Sequence, residues 1–453
     1  MKRGLLVCVM IVTILALYCF PGQLYAQNQN KDKIRKAVLA SLDWLKRHQN
    51  NDGSWDCDGF PKKCDPTFPS NCDGWGTVTE ADPAITGLVV MAFLGAGFQP
   101  EGDSDYSDTV KKGLDYLLRL QDEDGYFAKN RKSHFYFYGH AIATTAVAKA
   151  HILTGNAACW KAAHRGVQVI LDVQNDHPEI PGQKYGWRYF PKDGDNDTSV
   201  TTWMAVALSV GSKANIRVPK SAFDGVRNWL DFVTGKVYFR VGYQSPGGSS
   251  AIPSELRKKF RNSENCTAMA LLCRMLLREN KTSAALRAGV ALLSQDLPDW
   301  NFEDGAIDFY YWYYGTYAMH AVGGSAWTRW ESAVMKAILD NQDTKNQGCA
   351  CGSWDPKVAK WGGRGGRVYA TAINCLTLEV YDNNYTSLPQ ARGLEPADNA
   401  VIDRQMQELE AVLKNIMQEL DALKKTIAEL ENRKEELKKK LNQLAWEKKL
   451  NKK

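Results

Sequence analysis

The side chains best equipped for chemistry gather in a few short strings. Trp187-Arg188-Tyr189 precedes Asp193-Gly194-Asp195-Asn196-Asp197-Thr198-Ser199, Tyr311 and Tyr314 lie in the aromatic run 309–314, Arg367 and Tyr369 follow a glycine-rich stretch, and His134, Tyr138 and His140 stand close together. Arg188 and Arg367 offer guanidinium groups that meet phosphate or carboxylate. The faces of Tyr138, Trp187, Tyr189, Tyr311, Tyr314 and Tyr369 can hold an isoprenoid by burial or a sugar by stacking. His134 adds an imidazole, and His140 is a candidate general base. Asp195 and Asp197 are weak catalytic candidates, because Asp197 before Thr198, like Asp82 before Pro83, is the residue type that caps a helix N-terminus. No carboxylate pair has a separation that the sequence fixes, so a glycan lyase or hydrolase stays a rival reading.

These residues need a scaffold, and internal repetition supplies one. Leu42-Asp43-Trp44-Leu45-x3-Gln49-x3-Gly53-Ser54-Trp55 has the same spacing as Leu114-Asp115-Tyr116-Leu117-x3-Gln121-x3-Gly125-Tyr126-Phe127. A third copy ends at Gln174 and resumes at Gly186-Trp187; another ends at Gln342 and resumes at Gly352-Ser353-Trp354. Weaker copies around Trp229 and around Gln295 bring the total to six units of about 50 to 70 residues. Each pairs an amphipathic helix ending at the Gln with a more apolar helix. The second helices fall near 83–94, 140–153, 198–210, 267–277, 310–319 and 368–380 and are rich in Ala, Thr and Gly. The pattern predicts an all-α fold, an (α/α)6 toroid over residues 27–383, with the smoother helices inside. Their N-termini open on the ring's mouth with free N–H groups and a positive dipole end, which is where the candidates above collect.

Of 453 residues, 44% are hydrophobic and 24% charged, with a net charge of +6, values that exclude general disorder and mark no nucleic-acid binder. Residues 1–26 read as a cleavable signal peptide: a basic start, an apolar run from Leu5 to Phe20, and a small-residue exit at Ala26. No later stretch is long and apolar enough to span a bilayer, so a secreted or periplasmic chain is expected. Residues 384–401 read as a linker and 402–453 as a coiled-coil tail, with Met406, Leu413, Leu420, Ile427, Lys434 and Leu441 at heptad a positions and Ile402, Leu409, Ile416, Leu423, Leu430, Leu437 and Leu444 at d. Self-association through this tail is expected.

Over residues 30–383 the chain resembles the prenyltransferase and squalene-cyclase repeat proteins, whose hallmark is an aromatic-containing helix followed by Gln-x3-Gly-x-Trp. The strings 308–316, 348–356 and 363–371 are similar to a secreted bacterial branch of that group, for which no reaction is implied. Squalene cyclases place Asp-x-Asp-Asp-Thr-Ala at an inner-helix start, the middle Asp protonating an alkene. Aligning the Asp-Thr step puts Asn196 at that position, and an amide cannot donate the proton; only a slipped alignment would use Asp195. The dipole at this helix start favours ionised Asp195 and Asp197. Protein prenyltransferases resemble the chain at Asp308 to Tyr311, but Tyr311 stands where they carry a zinc-binding His. Neither a cofactor nor a metal is expected, and the resemblance points to a ligand- or partner-binding toroid, with a divergent isoprenoid cyclase or transferase as the alternative.

Cys57, Cys64, Cys72, Cys349 and Cys351 fall in the Gly-aromatic loops of the first and sixth units, which ring closure makes neighbours. In an oxidising compartment disulfides are expected among them, since their spacings match no usual zinc pattern. Cys159, Cys266, Cys273 and Cys375 lie on helical segments and read as core residues.

Overall fold

Runs dense in Ala, Thr and Gly let helices approach closely, and this composition decides which helices lie inside. The computed structural model describes residues 30–381, apart from 69, 129, 249–251, 253–254, 281–282 and 345–347, and residues 399–450. The expected signal peptide, residues 1–26, and most of the expected linker lie outside the described residues. Outer helices are α1 (30–47), α3 (Ser107–Leu120), α5 (Ala157–Asp172), α7 (Lys220–Val233), α9 (Ala284–Gln295) and α11 (Gly324–Leu339). Inner helices are α2 (Asp82–Gly95), α4 (Tyr136–Thr154), α6 (Thr198–Lys213), α8 (Asn265–Leu276), α10 (Phe309–Val322) and α12 (Gly362–Glu379). Each inner helix packs on the next, and α12 packs back on α2. The ring is an all-α toroid. All 14 residues of α2 are buried, whereas α3 buries a stripe through Val110, Gly113, Leu114 and Leu117.

The repeated Gln, Gly and Trp are scaffold. Gln49 Nε2 donates to Gly53 O and to Thr109 O of the next outer helix, both at 3.0 Å. Gln121 and Gln174 bridge in the same way to Ala162 O at 2.9 Å and Ala222 O at 3.0 Å. The indoles do more than cover this contact: Trp55, Trp187 and Trp354 donate Nε1–H to Leu45 O, Ile170 O and Ile338 O at 2.7, 2.9 and 2.9 Å, carbonyls in the last turn of their own outer helices. Gly53, Gly125 and Gly352 hold φ of +90°, +93° and +95°, a left-handed turn that explains glycine at this point of the motif. In α12, Gly366 (φ 71°) breaks the first turn, so regular helix resumes at Arg367, close to the expected start at Val368.

The C-terminal unit, taken by itself, is the single helix α13 (Asn399–Leu450). Leu413, Ile416, Leu420, Leu423, Ile427 and Leu430 are all exposed along one heptad stripe. No helix among the described residues is long and apolar enough to cross a membrane.

Candidate functional site

The inner helices converge at their N-terminal ends on a chamber of about 800 Å³. Every inner helix contributes to its wall. Leu88 and Ile85 of α2, Ile142 of α4, Trp203 of α6, Met269 of α8 and Ile373 of α12 make the interior apolar, while His134, Arg188, Gln244, Arg257 and Arg364 stand among its polar lining residues. None of the described lining residues is Asp or Glu. A polar string crosses the wall: Tyr138 Oη donates to Ser199 Oγ at 3.0 Å, Ser199 Oγ and Tyr310 Oη lie 2.8 Å apart, and Trp203 Nε1 donates to Tyr310 Oη at 2.7 Å. At the mouth the Arg188 guanidinium lies 4.6 Å over the Tyr189 ring, which stacks on His134 at 5.1 Å. Tyr189 and Tyr243 hydroxyls meet at 2.8 Å.

Asp197 caps α6, accepting the Val200 N–H at 2.8 Å. Its other oxygen lies 3.6 Å from Arg188 Nε. Burial pushes this carboxyl up to about 7, outweighing the backbone donors, Tyr243 and Arg188, which pull the other way. The expectation that the dipole keeps Asp197 ionised is therefore corrected: full desolvation is the larger effect. Asp308 caps α10 in the same way, accepting the Tyr311 N–H at 3.1 Å, and pairs with buried Lys360 at 2.8 Å. Asn196 is spent in its loop, its oxygen accepting from Asn175 at 3.1 Å and its amide donating to Gly194 O at 2.9 Å. Asp195 is exposed and paired with Arg188 at 3.0 Å.

His134, Tyr138, Arg188, Tyr189 and Tyr369 line the chamber as the sequence suggests. Trp187, Tyr311, Tyr314 and Arg367 do not. Trp187 is tied to α5; Tyr311 points outward, its hydroxyl donating to Asp296 O at 2.6 Å with Trp330 edge-on. Tyr314 is buried beside Trp203, and Arg367 is held by Asp73 O at 2.8 Å and Ser353 Oγ at 3.0 Å. His140 is not free to act as a base: Nδ1 accepts the Phe127 N–H at 3.2 Å, Nε2 donates to Gly166 O at 3.0 Å, and burial lowers its pKa to about 4. Thr86, Thr201 and Thr267 hydroxyls accept the matching backbone N–H in other repeats, from Trp55, Trp187 and Val241 at 3.0, 3.1 and 3.2 Å. Tyr310, Ser199, Trp203 and Tyr243 were not among the sequence candidates. The signal for the first was one residue away, and the i, i+4 pair Ser199 and Trp203 marks the chamber face of α6.

No disulfide joins the five candidate cysteines. Cys57, Cys64, Cys72, Cys349 and Cys351 are all free thiols. Cys64, Cys72 and Cys349 converge instead on His48, their Sγ atoms lying 3.6, 3.6 and 3.4 Å from its Nε2. Cys57 is elsewhere, its thiol on Val78 O at 3.0 Å.

The profile of the squalene-hopene cyclase C-terminal domain matches residues 16–142. Over this N-terminal stretch the chain is similar to that family. An inactive variant of the α-1,6-mannanase GH76A of Salegentibacter sp. HEL1_6, in complex with α-1,6-mannotriose, is similar in structure at 10% identity, covering 78% of this chain and 98% of that one, with a TM-score of 0.50. The type II terpene cyclase MstE from Scytonema aligns at 11% identity over 77% of this chain and 97% of its own, TM-score 0.45. A protein from Actinoplanes aligns at 13% identity over 78% and 100%, TM-score 0.44. No curated protein sequence matches this chain. At 10% identity the likeness to the mannanase speaks for the fold alone.

Proposed function

We propose that this is an exported binding toroid for an amphipathic ligand with an isoprenoid-like apolar body and an anionic head, and that it performs neither squalene-cyclase nor zinc prenyltransferase chemistry. The observation that carries the reading is the chamber's composition: apolar and aromatic walls, Arg188, Arg257 and Arg364 in the lining, and no carboxyl group among the described lining residues. Alkene protonation needs a neutral acid aimed at the double bond, and glycoside hydrolysis ordinarily needs two carboxyl groups across the scissile bond. Asp197 has the raised affinity for a proton, but its oxygens serve the α6 cap and face Arg188.

Titration calorimetry with farnesyl diphosphate, farnesol and α-1,6-mannotriose tests this. Farnesyl diphosphate should bind, farnesol more weakly, and Arg257→Ala with Arg364→Ala should weaken the diphosphate by about tenfold, or ~1.4 kcal/mol. Binding of the trisaccharide alone would favour the glycan reading. Incubation with squalene should give no cyclised lipid by mass spectrometry; product lost in Asp195→Asn would install Asp195 as an acid and overturn the proposal.

A further inference from the structure

We infer that His48, Cys64, Cys72 and Cys349 form a structural zinc site that clips the first repeat to the last. The four ligand atoms lie within 4.8 Å of one another, and the three sulfur-to-nitrogen distances are 3.4, 3.6 and 3.6 Å. Zinc bonds of about 2.3 Å to sulfur and 2.0–2.1 Å to nitrogen at tetrahedral angles put S and N about 3.6 Å apart. One disulfide would draw two sulfurs to about 2.05 Å and leave the third thiol and the imidazole without a role; four soft or borderline donors around one point suit a single four-coordinate ion.

The imidazole is set for this task. Nδ1 of His48 donates to Trp44 O at 2.7 Å, which leaves the Nε2 lone pair facing the thiols. Its ring stacks on Trp44 at 4.1 Å and meets the edge of Phe60 at 6.0 Å, so its plane is fixed from both sides. Three thiolates, a neutral imidazole and Zn²⁺ sum to −1. Arg47 stands beside the cluster with its guanidinium on Cys351 O at 3.2 Å, a position suited to offsetting that charge. His48, Cys72 and Cys349 are buried, and all four positions would be filled by protein, so the ion has no open site for substrate and the role is structural.

The connectivity supports the same reading. His48 follows α1, Cys64 and Cys72 lie in the α1–α2 loop, and Cys349 comes from the α11–α12 loop, 301 residues beyond His48. An ion here fastens together the two ends of the ring.

Full-length protein purified without chelators should contain one zinc per chain by plasma mass spectrometry. Cobalt exchanged into it should show thiolate-to-metal charge transfer and tetrahedral d–d absorption. Cys349→Ser and His48→Ala should lose the metal, whereas Cys351→Ser should keep it, because that neighbouring thiol is outside the cluster. If either ligand variant fails to fold, the metal count and cobalt spectrum of the wild type still decide. Metal-free wild type, or a disulfide joining any two of Cys64, Cys72 and Cys349 in non-reducing peptide mapping, would overturn the inference.

Discussion

The side-chain amide of Gln342 donates to the backbone oxygen of Ala37 at 2.8 Å, joining residues 305 positions apart. Gln342 Nε2 also donates to Gly352 O at 2.9 Å, so one buried amide serves both its own loop and the first outer helix. Gln342→Ala leaves both carbonyls short of a donor in a buried setting and should cost about 1–3 kcal/mol. Urea unfolding followed by circular dichroism measures it; an unchanged midpoint would show that the contact is dispensable.

Asp197 gives stability a pH slope of defined sign. Its folded pKa of about 7 lies above the ordinary carboxylate value, so the folded chain holds the proton more tightly than the unfolded one. Its contribution is most favourable below the unfolded value near 4, declines as pH rises through the interval to about 7, and is level above that. Asn keeps the N-cap acceptor and removes the titration. The stability of wild type relative to Asp197→Asn should therefore fall between pH 4 and pH 7; a flat difference would remove burial as the governing effect.

His140 acts in the opposite direction. Its folded pKa of about 4 lies below the unfolded value near 6.5, so its contribution is complete above pH 6.5 and is lost as pH falls toward 4. His140→Thr restores the acceptor used by the other repeats and should unfold closer to wild type than His140→Val, which leaves the Phe127 N–H unpaired at a cost of about 1–3 kcal/mol. Equal loss in both variants would discount the hydrogen bond.

The heptad stripe of α13 predicts a parallel dimer, with Lys434 at an a position disfavouring larger bundles. At ~1.5 Å per residue the 52-residue helix extends about 78 Å. Analytical ultracentrifugation should show a dimer that becomes a monomer on truncation at Pro396. Two monomeric species would refute it.

The ring was legible because repetition is read from spacing alone: Gln49, Gln121, Gln174 and Gln342 make equivalent bridges, and equivalent bridges need equivalent sequence. The site was legible in part. A helical string such as 309–314 shows that aromatics line something, but which of Tyr310 and Tyr311 faces the chamber depends on a rotation of about 100° about the axis, set by packing on α8, α11 and α12. Histidine 140 was ambiguous for a related reason: its role belongs to the Thr86, Thr201 and Thr267 series, and only backbone partners reveal a His standing in for Thr. The cysteine cluster was not legible in the spacings because its fourth member is a histidine at a helix end, and the third thiol arrives from the opposite end of the ring.

Ring closure also imposes an order of events on a chain made from one end. Helix α1 leaves the ribosome first, yet Ala37 must wait for Gln342 before its neighbour exists. Contacts of such long sequence separation form late and slowly. Until α11 and α12 have emerged, the first repeat presents an unfinished flank, so any truncation before the sixth repeat should release an open, adhesive arc in place of a smaller ring.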